Sequence, residues 1–139
     1  MFRKDASVEL LNQRSQNTLV SHLAIEFLEV GEDFVLARMP VDHRTVQPLR
    51  LLHGGASVAF AETLGSMAAF LCIDEETHYC LGLEINANHL RAVPETGWVF
   101  GKATPVHTGR KTHVWEIKIT NEQGKIVCIS RITIMVMEK

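Results

Sequence analysis

Cysteine is scarce here. The chain has three, Cys72, Cys80 and Cys128, an odd number without metal-type spacing. They read as reduced core residues of a cytoplasmic protein, not as a disulfide framework. None of the seven histidines stands four residues from another, so no metal is expected. Neither sign of charge is in surplus. The net charge of −2 gives no reason to expect a nucleic acid or an anionic membrane as partner. The opening Met-Phe-Arg-Lys-Asp-Ala lacks the apolar core of a signal peptide. Internal repeats, low-complexity tracts and interdomain linkers are all missing. With 139 residues, the chain reads as one domain, 1–139, long enough to bury a real core.

What is present is concentrated between Gln47 and Ile73. From Gly54 to Ile73 there is one ionisable acid, Glu62, and no basic residue. The run from Ala56 is rich in Ala, Leu, Met and Phe and free of proline, which predicts a helix. Its length is borderline for a membrane span, but the central Glu62 and the many small residues argue against one. A helix apolar on nearly every side is expected to be buried on nearly every side. A bare carboxylate in its middle would be costly, so Glu62 needs a reason to be there.

The rest is mostly strand-like. Asp5 or Ser7 can cap a short amphipathic helix through Val8, Leu10 and Leu11. Asn12 to Ser21 reads as a polar lead-in. Ala24 to Val30 and Phe34 to Met39 read as strands around a Gly31-Glu32-Asp33 turn. Pro40 to Leu51 reads as loop. After the helix come Tyr79 to Arg91, broken by Gly82, then Trp98 to Thr104, with Pro105 to Lys111 as a bend. Thr112 to Thr120 alternates, placing Trp115, Ile117 and Ile119 on one face. Lys125 to Met137 is the last strand. Two strands, one long helix and four strands joined by short turns predict an α+β fold. The expected form is one curved antiparallel sheet wrapped around the buried helix. Helix propensity explains most of the alanines, but Gly65 costs about 1 kcal/mol against Ala and points to close packing on the sheet.

Several motifs resemble one family. Gln47-Pro48, Leu52-His53-Gly54-Gly55-Ala56-Ser57 and Ala61-Glu62-Thr63-Leu64-Gly65-Ser66 resemble the hotdog-fold acyl-CoA thioesterases. The likeness is to the small bacterial branch acting on dihydroxynaphthoyl-CoA and hydroxybenzoyl-CoA, with a sibling that clears misacylated carrier protein in siderophore synthesis. Glu84 to Arg91 and Thr108-Gly109-Arg110 match as well, so the resemblance runs from about Ser21 to the end. It implies a homotetramer, a dimer of dimers, with active sites shared across a dimer interface. No cofactor is implied beyond the CoA thioester as substrate.

Thioester hydrolysis needs a nucleophile or an activated water, and donors for the developing oxyanion. Gly54 and Gly55 stand where the helix begins, with backbone N–H groups at the positive end of its dipole. The Gly55 N–H is the first choice of oxyanion donor, and the Gln47 side chain a second. Glu62 stands as nucleophile or general base, two turns on and more than roughly 10 Å from Gly55 in one chain. One carbonyl cannot bridge that gap, so Gly55 of one subunit is expected to work with Glu62 of its partner. Ser66, one turn after Glu62, can bond the carboxylate or a water, or merely its own helix carbonyl. His53 can polarise the thioester, or simply cap the helix.

For the pantetheine and phosphate end, His89, Arg91, Gly109, Arg110 and Lys111 are the candidates, with a solvated rim of charge as the plainer reading of any single one. The resemblance adds Gly82, Leu90, Ala92, His107 and Thr108. Gly55-Ala56-Ser57-Val58-Ala59 superficially resembles a nucleophile elbow, but that fold needs several βαβ units. Dehydratases of the same fold pair a His with the acid, and this helix carries no His. A non-catalytic acyl-CoA-binding domain stays open, as does an acyl-carrier-protein substrate in place of acyl-CoA. The branch usually reads Gln-Pro-Phe-Gly where this chain has Gln47-Pro48-Leu49-Arg50. Losing the Phe is expected to remove an aromatic pocket face, and Arg50 to exclude an easy positive φ and point outward.

Overall fold

The computed structural model describes residues 2–139. In chain order its elements are α1 (Val8–Arg14), α2 (Leu19–His22), β1 (Glu26–Val30), β2 (Val35–Pro40), α3 (Gly54–Phe70), β3 (His78–His89), β4 (Trp98–Thr108), β5 (Thr112–Thr120) and β6 (Ile126–Glu138). Ser7, one of the two expected caps, accepts the Leu10 N–H at the start of α1. The polar lead-in hides α2, which Thr18 and Ser21 close reciprocally at its first turn.

All strand pairs are antiparallel, in the order β1-β2-β4-β5-β6-β3. The α+β expectation therefore holds, with one correction of connectivity. Short turns imply antiparallel pairing of consecutive strands, but β3 and β4 do not pair: β3 lies beside β6, and β4 between β2 and β5. The segment between β3 and β4 crosses in front of α3, held by Leu90 N–H to Val127 O, Leu52 N–H to Val93 O and the Leu51–Pro94 bridge. Gly82 does not end β3 but marks a bulge within it. Pro105 likewise lies inside β4, at a bulge where its missing N–H is tolerated. The expected 105–111 bend thus shrinks to the tip between β4 and β5.

The sheet curves around α3. Ser57, Phe60, Ala61, Leu64, Gly65, Ala68 and Ala69 are its buried residues, repeating at three and four. His113, Trp115, Ile117 and Ile119 face them from β5. A methyl on Gly65 would run into Ile132 Cγ2, so Gly65 brings helix and sheet together as its cost implied. The other face of α3 was expected to be buried and is not. Glu62, Thr63, Ser66, Met67 and Phe70 are only half-buried, because β3 is an edge strand with no further strand beyond it among the described residues.

Candidate active site

α3 and β3 lie side by side in opposite directions. At the start of α3, a methyl on Gly54 would stand 3.0 Å from His89 Nε2, and at mid-helix one on Gly82 would stand 2.6 Å from Glu62 Oε1. At the far end Ser66, Met67 and Phe70 share a cavity with Tyr79 and Cys80. The two elements form a seam with Glu62 at its centre. Glu62 accepts no hydrogen bond and pairs with no cation among the described residues. A larger residue at position 82 would crowd the carboxylate.

His53 takes the helix N-cap, and its Nδ1 accepts the Gly55 N–H at 2.7 Å. The capping reading of His53 is thus realised, and the Gly55 N–H already has a partner. An Nδ1 that accepts leaves the ring proton on Nε2, so the imidazole turns a donor outward. Gln47 is held in the loop ahead. Its N–H donates to Leu51 O at 2.8 Å, and its side-chain Oε1 accepts the Leu49 N–H, leaving the amide NH₂ as a donor. Ser66 does not bond back to its helix among the described residues, whereas Thr63 Oγ1 donates to Ala59 O at 2.8 Å.

Gln47, Gly54, His89, Leu90, Arg91 and Ala92 meet in one cavity of about 460 Å³. Leu51, Leu52, Ser57 and Val127 complete its lining and were not foreseen. Leu52 and Ser57 lie at the two ends of the motif around His53-Gly54-Gly55, but Val127 arrives only because β6 runs beside β3. Arg110 and Lys111 are elsewhere, lining a cavity of about 750 Å³ with His78 and Met135. His107, Thr108 and Gly109 are on the same β4–β5 tip, where a methyl on Gly109 would stand 2.6 Å from His107 Nε2. The two expected CoA-contacting groups lie towards opposite ends of β3, from His78 to His89. Eleven strand steps make that roughly 35 Å. A single chain does not bring them together.

Arg50 corrects an expectation. It adopts φ +61° despite being Arg, and its guanidinium grips the Glu95 carboxylate in a two-pronged pair, 2.7 Å at Nε. It does point outward. Leu49 beside it is 78% exposed, so it faces no acyl pocket within this chain.

A glutamate on a seam, glycines at a helix start and a positioned amide suit thioester hydrolysis. The thioesterase superfamily model matches residues 49–128, more than half the chain. The chain belongs to the thioesterase superfamily. Among its relatives, a proofreading thioesterase of Cronobacter turicensis is 48% identical, with 99% of this chain and 98% of that protein covered. A 1,4-dihydroxy-2-naphthoyl-CoA hydrolase of Escherichia coli is 44% identical, with 99% of each covered. The crystal structure of a thioesterase of Haemophilus influenzae superposes with a TM-score of 0.94 at 50% identity, covering 99% of this chain and 94% of that one. This thioesterase is therefore a hydrolase of thioesters with the hotdog fold. Among its described residues, no helix is long and apolar enough to cross a membrane, and no cluster of three His, Cys, Asp or Glu could hold a metal ion.

Proposed function

We propose that this thioesterase hydrolyses a compact acyl-CoA thioester, aromatic or medium-sized, in the cytoplasm, with Glu62 as nucleophile or general base. The observation that carries the reading is the Glu62 carboxylate, unpaired on the seam against Gly82. Water supplies hydroxyl to the acyl carbon, directly or after Glu62 has formed an anhydride; the sulfur leaves as thiolate and takes up a proton. Negative charge on the carbonyl oxygen is met by donors around the start of α3. Gln47 NH₂ is one. His53 Nε2–H is a second, its ring oriented by the Gly55 N–H. The Gly55 N–H itself serves once the ring swings aside. No cofactor takes part.

Two chains build the site. Gly55 and Glu62 are separated by seven residues of one straight helix, roughly 10 Å. A second chain set antiparallel along the seam brings its helix start to this Glu62. The separation of His89–Ala92 from Arg110–Lys111 calls for the same solution, with a further pair of chains supplying the Arg110 loop in a homotetramer. An acyl-carrier protein presents the same pantetheine arm, so it is the second donor to assay.

The test is Glu62→Gln with aryl-, short-chain and long-chain acyl-CoA thioesters and an acyl-carrier protein, reading thiol release. Turnover should fall at least ~10²-fold with the circular-dichroism spectrum unchanged. Near-wild-type kcat would remove Glu62 from the chemistry, and saturable acyl-CoA binding without hydrolysis by the wild type would favour a non-catalytic acyl-CoA-binding domain.

A further inference from the structure

Beyond Ser66 the seam continues as a groove of about 340 Å³, lined on its near side by Met67, Phe70, Tyr79 and Cys80. Charged and polar groups, Arg14, Glu75, His78 and Lys139, complete its lining. Phe70 is not a free ring there. The guanidinium carbons of Arg3 and Arg14 lie 4.4 and 4.3 Å from its centroid. Both arginines are tied to one carboxylate, Arg3 to Glu75 Oε1 at 2.7 Å and Arg14 to Oε2 at 2.8 Å. Arg3 is further anchored by its N–H to Leu71 O at 2.8 Å. Two segments remote in sequence, the N-terminal stretch with α1 and the end of α3, thus hold one aromatic ring of the groove's lining in place.

We propose that Phe70, held by Arg3, Arg14 and Glu75, is the end wall of the acyl groove and sets the longest acyl chain this thioesterase accepts. The inference rests on Glu62 marking where the thioester carbonyl sits. From Glu62 to Phe70 the helix rises eight residues, roughly 12 Å. One ring or a medium alkyl chain fits in that length beside Ser66 and Met67. A longer chain meets a stacked ring backed by paired charges, where its methylenes gain nothing by leaving water. Arg14 and Phe70 are specificity determinants in this scheme and touch no reacting atom.

The experiment measures kcat/KM for hexanoyl-, octanoyl-, decanoyl- and dodecanoyl-CoA in wild type, Phe70→Ala, Phe70→Trp and Arg14→Ala. Each methylene newly taken from water is worth roughly fourfold, so Phe70→Ala should raise the decanoyl-to-hexanoyl ratio at least ~10-fold. Arg14→Ala should raise it less, and Phe70→Trp should lower it. Opposite movements from the two Phe70 variants cannot come from general destabilisation, and Arg14, being half-exposed, tests the wall without endangering the fold. Ratios unchanged in folded Phe70→Ala and Arg14→Ala overturn the wall. The catalytic reading fails separately, by wild-type activity that survives Glu62→Gln. If no thioester is hydrolysed, calorimetric affinities of hexanoyl- and decanoyl-CoA for wild type and Phe70→Ala still decide. An unchanged affinity ratio overturns the wall there too.

Discussion

Gly82 is the residue on which the proposed role of Glu62 bears most closely. A side chain there would begin 2.6 Å from Glu62 Oε1. The carboxylate ends a flexible side chain, so Gly82→Ala should fold normally while turning Glu62 away from its reacting position. Misplacement of a catalytic group by about 1 Å costs on the order of 10²-fold, and a kcat loss of that size with little change in Tm is expected. Unaltered kcat in the folded variant would show that position 82 does not confine Glu62. Arg50 teaches a different lesson. A side chain without glycine's freedom stands at positive φ, and the pair with Glu95 together with the Glu95 N–H to Arg50 O bond at 3.0 Å hold it there. The loop path is kept, and Gln47 with it.

At the scale of elements, α3 works as a helix with two different faces. One carries small residues against the sheet, where Gly65 fits under Ile132, itself fully buried. Gly65→Ala gains about 1 kcal/mol of helix propensity but overpacks the contact by about 1–3 kcal/mol. The net loss should be about 1 kcal/mol, seen as a Tm lower by roughly 3 °C. Ile132→Ala, which removes the Cγ2 methyl, should therefore cost less stability in the Gly65→Ala background than in the wild type, and a Tm raised by Gly65→Ala alone would refute the close-packing account. The other face carries Glu62, Ser66 and Phe70 at intervals of four, on one stripe along β3. In the proposed reading, binding and stability fall on opposite sides of one element.

At the scale of the whole molecule, the half-buried stripe of α3 and the twelve-residue edge strand β3 lack a neighbour among the described residues, and Leu81 and Leu83 on β3 are more than half exposed. A long apolar edge is an aggregation liability unless paired. Pairing with a second copy, as proposed, would cover both surfaces at once. Light scattering should therefore give a dimer or larger species. Glu62→Gln chains mixed with Gly55→Pro chains should show activity that neither has alone, since a hybrid contains one site with both groups intact. Activity residing in a stable monomer would refute the two-chain site.

By itself the sequence determined the single long helix, the antiparallel strands, Glu62 as the sole acid in the apolar run and Gly65 as a packing residue. These are local properties: helix propensity, period-two alternation, turn residues, and the cost of a glycine or an acid inside a helix. Tertiary structure alone decided that β3 is an edge strand beside α3, because pairing partners are set by the packing of the whole sheet and not by any one strand's residues. From that one fact follow the open seam, the approach of Gly82 to Glu62, and the arrival of Val127 beside Gln47. The tertiary structure also decided that Arg3, Arg14 and Glu75 meet around Phe70. In the sequence these are ordinary surface charges, and only the docking of the N-terminus onto the end of α3 brings them to one ring.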